Sequence, residues 1–213
     1  MDSKEKREQF IRDTKGNIIL DAARKVFAEK GFHQTKLEEI ALEAGFSKAS
    51  LYNYYSDKLE IFMSLANREF DLLLEKIRVL FNPELHILVN FENLFRVVLS
   101  FFGEHFAFVV ATMNFRAVCE NIQVEIEKNH ILLMNTFKDK FNDINTMQAQ
   151  IIQNARLKNE IGIDLDNETV SVYISSLIRG IIFEWKIRGG MGDIETEISN
   201  LLIFLKSGLK CNE

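Results

Sequence analysis

Apolar residues return every three to four positions along most of the chain, and the pattern is interrupted at only a few points. Ile19, Ala22, Ala23, Val26 and Phe27 share one side of a helix predicted over residues 15–30, and Gly31 stops it. Thr35 and Glu38 have capping-box spacing and predict a second helix starting there. Leu37, Ile40, Ala41 and Ala44 give it an apolar side, and Glu38, Glu39 and Glu43 are left to solvent. Gly45 supplies the left-handed residue that ends it. Ser47 is placed to cap a third helix anchored by Leu51 and Tyr55, which leaves Lys48, Ala49, Ser50, Tyr52, Asn53 and Tyr54 facing outward. Asp57 opens a long helix through Leu59, Phe62, Met63, Ala66, Phe70, Leu73, Ile77 and Leu80, and Asn82-Pro83 ends it.

The remainder reads as helical too. Residues 84–160 predict two or three helices broken near Gly103 and around residues 114–121, the last running through Ile126, Leu133, Phe137 and Phe141 toward Leu157. I-G-I-D-L-D-N is a loop, and Asp166 or Asn167 opens a helix carrying Val170, Ile174, Leu177, Ile178, Ile181 and Trp185 as far as Arg188. G-G-M-G breaks the chain, and Asp193 caps a final helix with Ile194, Ile198, Leu201, Leu202 and Leu205. In these last two helices Ile182, Phe183, Ile203 and Phe204 add apolar residues on a second side. A helix facing water on that side has no use for them, so the pair is expected to pack on the same helices of a second copy. The fold class is therefore all-α.

Two short helices hinged at a glycine, with small and polar groups facing outward from the second, are the layout of a helix-turn-helix DNA reader. The segment resembles the DNA-binding domain of the tetracycline-repressor (TetR) family in Gly31, Thr35, Ile40-Ala41, Ala44-Gly45, Ser47, Leu51-Tyr52, Tyr54-Tyr55 and Lys58, over roughly residues 15 to 65. Ala49 stands where glycine is common in that family, and Tyr55 where phenylalanine is usual. The resemblance implies a three-helix DNA-binding domain over residues 12–72 and a larger helical effector-binding and dimerisation domain over 73–213. It also implies a homodimeric repressor on a palindromic operator, released when an effector shifts the helix joining the two domains.

Composition narrows the classes without changing that picture. The chain has 213 residues with a single proline, ten glycines and 47% hydrophobic residues, enough for a substantial helical core. The charged start M-D-S-K-E-K-R-E-Q-F is unlike a secretory signal, and the apolar stretch from Phe101 to Met113 is interrupted by Gly103, Glu104 and His105. A soluble cytoplasmic protein with no membrane partner is expected. Cys119 and Cys211 lack a CxxC partner and read as free thiols, not as a disulfide or metal site. The net charge of −5 argues against indiscriminate nucleic-acid binding, yet residues 1–60 hold 11 Lys/Arg and 11 Asp/Glu, so the acidity belongs to the rest of the chain. The tail up to Lys15, with Lys4, Lys6, Arg7 and Arg12, reads as a solvated lead-in, with an arm that enters a DNA groove as the alternative.

The candidate DNA-binding residues are Thr35, Lys36, Ser47, Lys48, Ala49, Ser50, Tyr52, Asn53, Tyr54 and Lys58. Analogy and geometry give phosphates to Thr35, Ser47, Tyr54 and Lys58, and bases to Lys48, Ala49, Ser50 and Asn53. An asparagine can pair two-point with adenine. Fourteen of the 18 phenylalanines lie after residue 60, many between Phe91 and Phe115. Each reads as ordinary core. The family uses this region as a pocket for a small hydrophobic effector, and Phe102, Phe106, Met113, Arg116, Phe137 and Trp185 are the candidate lining residues. Arg116 and Arg179 are the polar groups to follow. No metal or cofactor is expected: Glu127 and His130 have the Glu-x-x-His spacing of a di-iron bundle, but the second copy that such a site needs is missing from the sequence. The rival reading is a helical enzyme or lipid carrier with a vestigial reader.

Overall fold

The structure is a computed structural model and describes residues 3–104 and 125–211, the side chains of residues 125–137 excepted. Eight helices occur among the described residues: α1 (Ser3–Gln34), α2 (Leu37–Glu43), α3 (Lys48–Leu51), α4 (Lys58–Leu80), α5 (Ile87–Glu104), α6 (Glu125–Leu157), α7 (Asn167–Arg188) and α8 (Ile194–Gly208). They fall into two compact units. Among the described residues one comprises 3–69 with 125–133, the other 70–104 with 134–211, so α4 and α6 contribute to both.

In the first unit the apolar side of α1 is buried as the periodicity requires: Ile19, Ala22, Ala23, Val26 and Phe27 are all in the core, joined by Leu20. The helix begins well before its predicted start, at Ser3, so the charged lead-in is helical while its side chains remain exposed. Lys, Arg, Glu and Gln are good helix formers, and nothing there breaks the helix. Gly31 does, at φ 73°, a left-handed conformation that costs a side-chain-bearing residue steric strain. Gly45 repeats the device at φ +74° between α2 and α3. The apolar stripe of α4 is broader than predicted: Ile61, Leu65 and Leu74 are buried beside the expected Phe62, Ala66, Phe70, Leu73 and Ile77, whereas Leu80 is exposed and Leu59 and Met63 are half-buried.

The second unit is built on α5, which packs against α7 and α8. Phe91, Phe95 and Leu99 are fully buried, and Phe70, Phe101, Phe102 and Phe141 form an aromatic cluster, with Phe70 and Phe102 centroids 6.2 Å apart. Caps fix the element ends. Asp166 accepts from the Thr169 amide at 2.7 Å and Asp193 from the Thr196 amide at 3.0 Å, and both carboxyls are held below the usual aspartate range, first by the Thr169 and Thr196 hydroxyls and then by the amides. Buried Asn90 donates to the Asn82 and Leu85 carbonyls and accepts from the Asn82 amide, which satisfies the backbone around Pro83. The loop 161–167 is clipped by Arg156, which donates to Asn167 Oδ1 and to the Ile163 and Leu165 carbonyls.

Candidate nucleic-acid interface

Leu51 is fully buried and pins α3 to the core, a contribution of roughly 1.5–3 kcal/mol. Ser47 opens the helix: its hydroxyl accepts from the Ser50 amide at 3.1 Å and lies 2.8 Å from the Ser50 hydroxyl. Around that anchor, Ser47, Lys48, Ala49, Tyr52 and Asn53 are exposed, and Ser50 and Tyr54 half-buried. The helix proper is short, ending at Leu51, and Tyr52 to Tyr54 continue as turns. The rim partner that Tyr55 needs is the Gly16 carbonyl, which its hydroxyl reaches at 3.3 Å, and burial pushes the phenol up from its ordinary value. Tyr54 meets Phe46 edge to face at 6.0 Å.

The charges around this surface are arranged in pairs. Lys48 donates to Glu38 and lies 5.9 Å from the Tyr52 ring, Lys30 donates to Glu39 at 2.6 Å, and Lys25 to Glu43 at 2.9 Å. The three glutamates of α2 thus tie it to α1 and to α3. Hydrogen bonds from the lysines hold Glu38 and Glu39 below the usual carboxylate range and raise the lysines in turn. These pairs are exposed, so they orient side chains more than they stabilise the fold.

Two expectations from the sequence change on this surface. The start of α2 is capped one residue later than its pattern suggests: Glu39 accepts from the Lys36 amide at 2.9 Å, while Thr35 is buried and its hydroxyl donates inward to the Gly31 carbonyl at 2.7 Å. The left-handed Gly31 leaves its carbonyl open and Thr35 satisfies it. The Lys58 ammonium is likewise turned inward. It donates to the carbonyls of Phe32, Thr35 and His33 at 2.6, 2.8 and 3.2 Å and lies 4.6 Å from the Phe32 ring. Its three donors are used within the domain, where sequence reasoning assigned them to a phosphate. Burial lowers its pKa from the ordinary lysine value, and the carbonyls at the end of α1 favour the charged form. The spacing of Lys58 could not reveal this, because its partners lie 23 to 26 positions upstream.

Of the candidate effector residues, Phe102 and Trp185 have described side chains. Phe106, Met113 and Arg116 lie outside the described residues, as do Cys119 and the side chains of Glu127, His130 and Phe137. Phe102 belongs to the aromatic cluster of α5, and Trp185 is buried on α7, its indole N–H without a partner among the described residues. Trp185 borders an open groove of about 680 Å³ on α7 and α8, with Tyr173, Leu177, Glu184, Arg188 and Phe204 among its lining. Arg179 is exposed and donates to the Ser176 hydroxyl at 2.8 Å. On the same two helices Tyr173, Phe183, Ile187, Ile203 and Phe204 are exposed. Ile182 points inward, contrary to expectation. Among the described residues no cluster of His, Cys, Asp and Glu could hold a metal, and no helix is long and apolar enough to cross a membrane.

An all-helical chain with a glycine-hinged reader at one end is the architecture of a helix-turn-helix transcription regulator. Over residues 19–65 the chain matches the tetR family of bacterial regulatory proteins. It is 39% identical over 67 residues to the HTH-type transcriptional activator FasR of Mycolicibacterium smegmatis, a match spanning 32% of this chain and 31% of FasR. It is 27% identical over 173 residues to the HTH-type transcriptional repressor BepR of Brucella suis, 78% of each chain. The fatty acid metabolism regulator protein of Bacillus subtilis is 23% identical over 212 residues, 97% of this chain and 98% of that protein. Among solved structures, the regulator FadR of Bacillus subtilis in complex with stearoyl-CoA shares the fold at TM-score 0.67 and 20% identity, covering 90% of this chain and 97% of its own. The protein is a DNA-binding transcription regulator.

Proposed function

We propose that the protein is a homodimeric repressor that reads a palindromic operator through Ser47 to Tyr54 and is released by a small hydrophobic effector. The observation that carries this reading is the split of α3, with Leu51 fully buried while Lys48, Ala49 and Asn53 face solvent. Lys48, Ala49, Ser50 and Asn53 face the bases. Ser47, Tyr54 and the backbone around Lys36 face phosphates. A single short helix reads few base pairs, so two copies with their readers about 34 Å apart, or a multiple of that, supply the rest of the specificity. The exposed aromatic and aliphatic side chains of α7 and α8 support those helices as the contact between copies.

The aromatic interior of the second unit supports a hydrophobic effector. Acyl-CoA thioesters are the first class to test, because a regulator of the same fold holds stearoyl-CoA. The ligand acts by preferring the arrangement that does not fit DNA, with α4 as the connection, since a ligand binding both arrangements equally shifts nothing. Residues 12–72 serve as the reader and 73–213 as the effector and dimer domain. The protein works in the cytoplasm and needs no cofactor.

Footprinting on DNA flanking its own gene, with a transcription reporter, tests the reading. A protected palindrome, weakened by long-chain acyl-CoA with rising transcription, is expected. Asn53→Ala should cost about 1–3 kcal/mol in discrimination between operator and random DNA. Metal-dependent turnover without DNA protection would favour a helical enzyme instead.

A further inference from the structure

The reader's lysines are largely engaged within the domain: Lys58 by three carbonyls, and Lys48, Lys30 and Lys25 by the glutamates of α2. Arg12 is different. It lies on the exposed first half of α1 and forms no hydrogen bond or ion pair among the described residues. Far from Asn53 and Tyr54 in sequence, it borders them in space. With Glu8, Ile11, Asn53 and Tyr54 it lines a groove of about 280 Å³. With Asp13, Gly16, Asn17, Tyr54 and Tyr55 it lines a second of about 270 Å³. Tyr54 is common to both.

We propose that Arg12 is a phosphate contact of the DNA-binding surface, gripping the duplex backbone beside Tyr54 in the role that the sequence assigned to Lys58. This rests on the reading of Ser47 to Tyr54 as the DNA-facing segment. A guanidinium offers two parallel N–H donors matched to two phosphate oxygens, and its charge is available at any working pH. The helical conformation of the lead-in matters here, because it fixes Arg12 one turn before Gly16, whose carbonyl receives the Tyr55 hydroxyl. The nearby carboxylates oppose an anion, but both are engaged: Glu8 pairs with Lys4 at 3.9 Å and Asp13 accepts from Gln9 at 2.7 Å.

The test is the salt dependence of DNA affinity, measured with the full-length chain and the protected DNA fragment for the wild type, Arg12→Ala, Arg12→Lys and Asn53→Ala. Circular dichroism confirms that each variant folds. For Arg12→Ala the slope of log affinity against log salt should fall by about 0.9. The gap from wild type should therefore narrow about three- to fourfold between roughly 50 and 200 mM salt. Operator and random DNA should lose affinity alike, and Arg12→Lys should recover most of the slope. An unchanged slope in Arg12→Ala, with Asn53→Ala still losing discrimination, overturns the Arg12 assignment and leaves the reader intact. If the wild type protects no site and Asn53→Ala changes nothing, the reader assignment fails and takes Arg12 with it.

Discussion

The reading segment and the last two helices each present an outward face, and the two faces differ in kind. Around Leu51 the outward residues are small or polar: Ser47, Lys48, Ala49, Asn53. On α7 and α8 the outward residues include Tyr173, Phe183, Ile187, Ile203 and Phe204, with Phe204 60% exposed. A surface that meets a hydrated, charged polymer keeps its own hydration until contact and gains from hydrogen bonds and counterion release. A surface that meets a copy of itself gains chiefly by removing apolar area from water. On the proposed function, one chain carries two recognition chemistries, and the apolar face is the costlier to leave uncovered.

The largest effect that separates the two faces is predicted for the double substitution Phe183→Glu with Phe204→Glu. Truncating a central aromatic at an interface costs about 2 kcal/mol or more, roughly thirtyfold in dissociation constant, and a buried carboxylate adds to that. Light scattering should show monomer at micromolar concentration, with loss of cooperative operator binding and unchanged helicity by circular dichroism. A dimer that survives both substitutions places the self-contact elsewhere.

A smaller effect concerns the inward-turned lysine. Lys58→Met keeps the stem over Phe32 but removes charge-assisted hydrogen bonds to the end of α1, so the domain should lose about 1–3 kcal/mol in denaturant unfolding. At temperatures where it is folded, the salt slope of its DNA binding should match that of the wild type. A slope reduced by one phosphate contact at full stability would show that the ammonium reaches DNA after all, and the comparison between the faces would have to include it.

The reader was largely legible from sequence because its grammar is local. Gly31 and Gly45 stop helices within a turn of where they stand, Ser47 caps its own helix, and the burial of Ile40, Ala41 and Leu51 follows from spacing. The contacts that spacing could not reveal are those between distant residues. Lys58 finds carbonyls across the domain, Thr35 turns back to Gly31, and Arg12 reaches the neighbourhood of Tyr54 only because the lead-in is helical. In the second unit the caps Asp166 and Asp193 were equally readable. Which phenylalanines are core and which face a ligand was not, since an apolar helix side looks the same whether it packs on a neighbour or lines a cavity.

The smallest predicted effect uses those two caps, because α3 opens on a hydroxyl that does not titrate whereas α7 and α8 open on carboxylates that do. Asp166 and Asp193 have folded-state pKa values below the ordinary aspartate value, held there by Thr169 and Thr196. A group whose folded pKa is depressed stabilises the fold above its unfolded value, near pH 4, and that contribution is lost as pH falls through the folded value. Asp193→Asn retains an oxygen that can cap the helix but removes the titration. Its stability measured against pH should therefore run flatter than the wild type's below about pH 4, with DNA affinity at pH 7 unchanged. If the acid limbs of the two proteins coincide, the charge on Asp193 contributes nothing that the neutral cap does not, and the apolar face is held in place by packing alone.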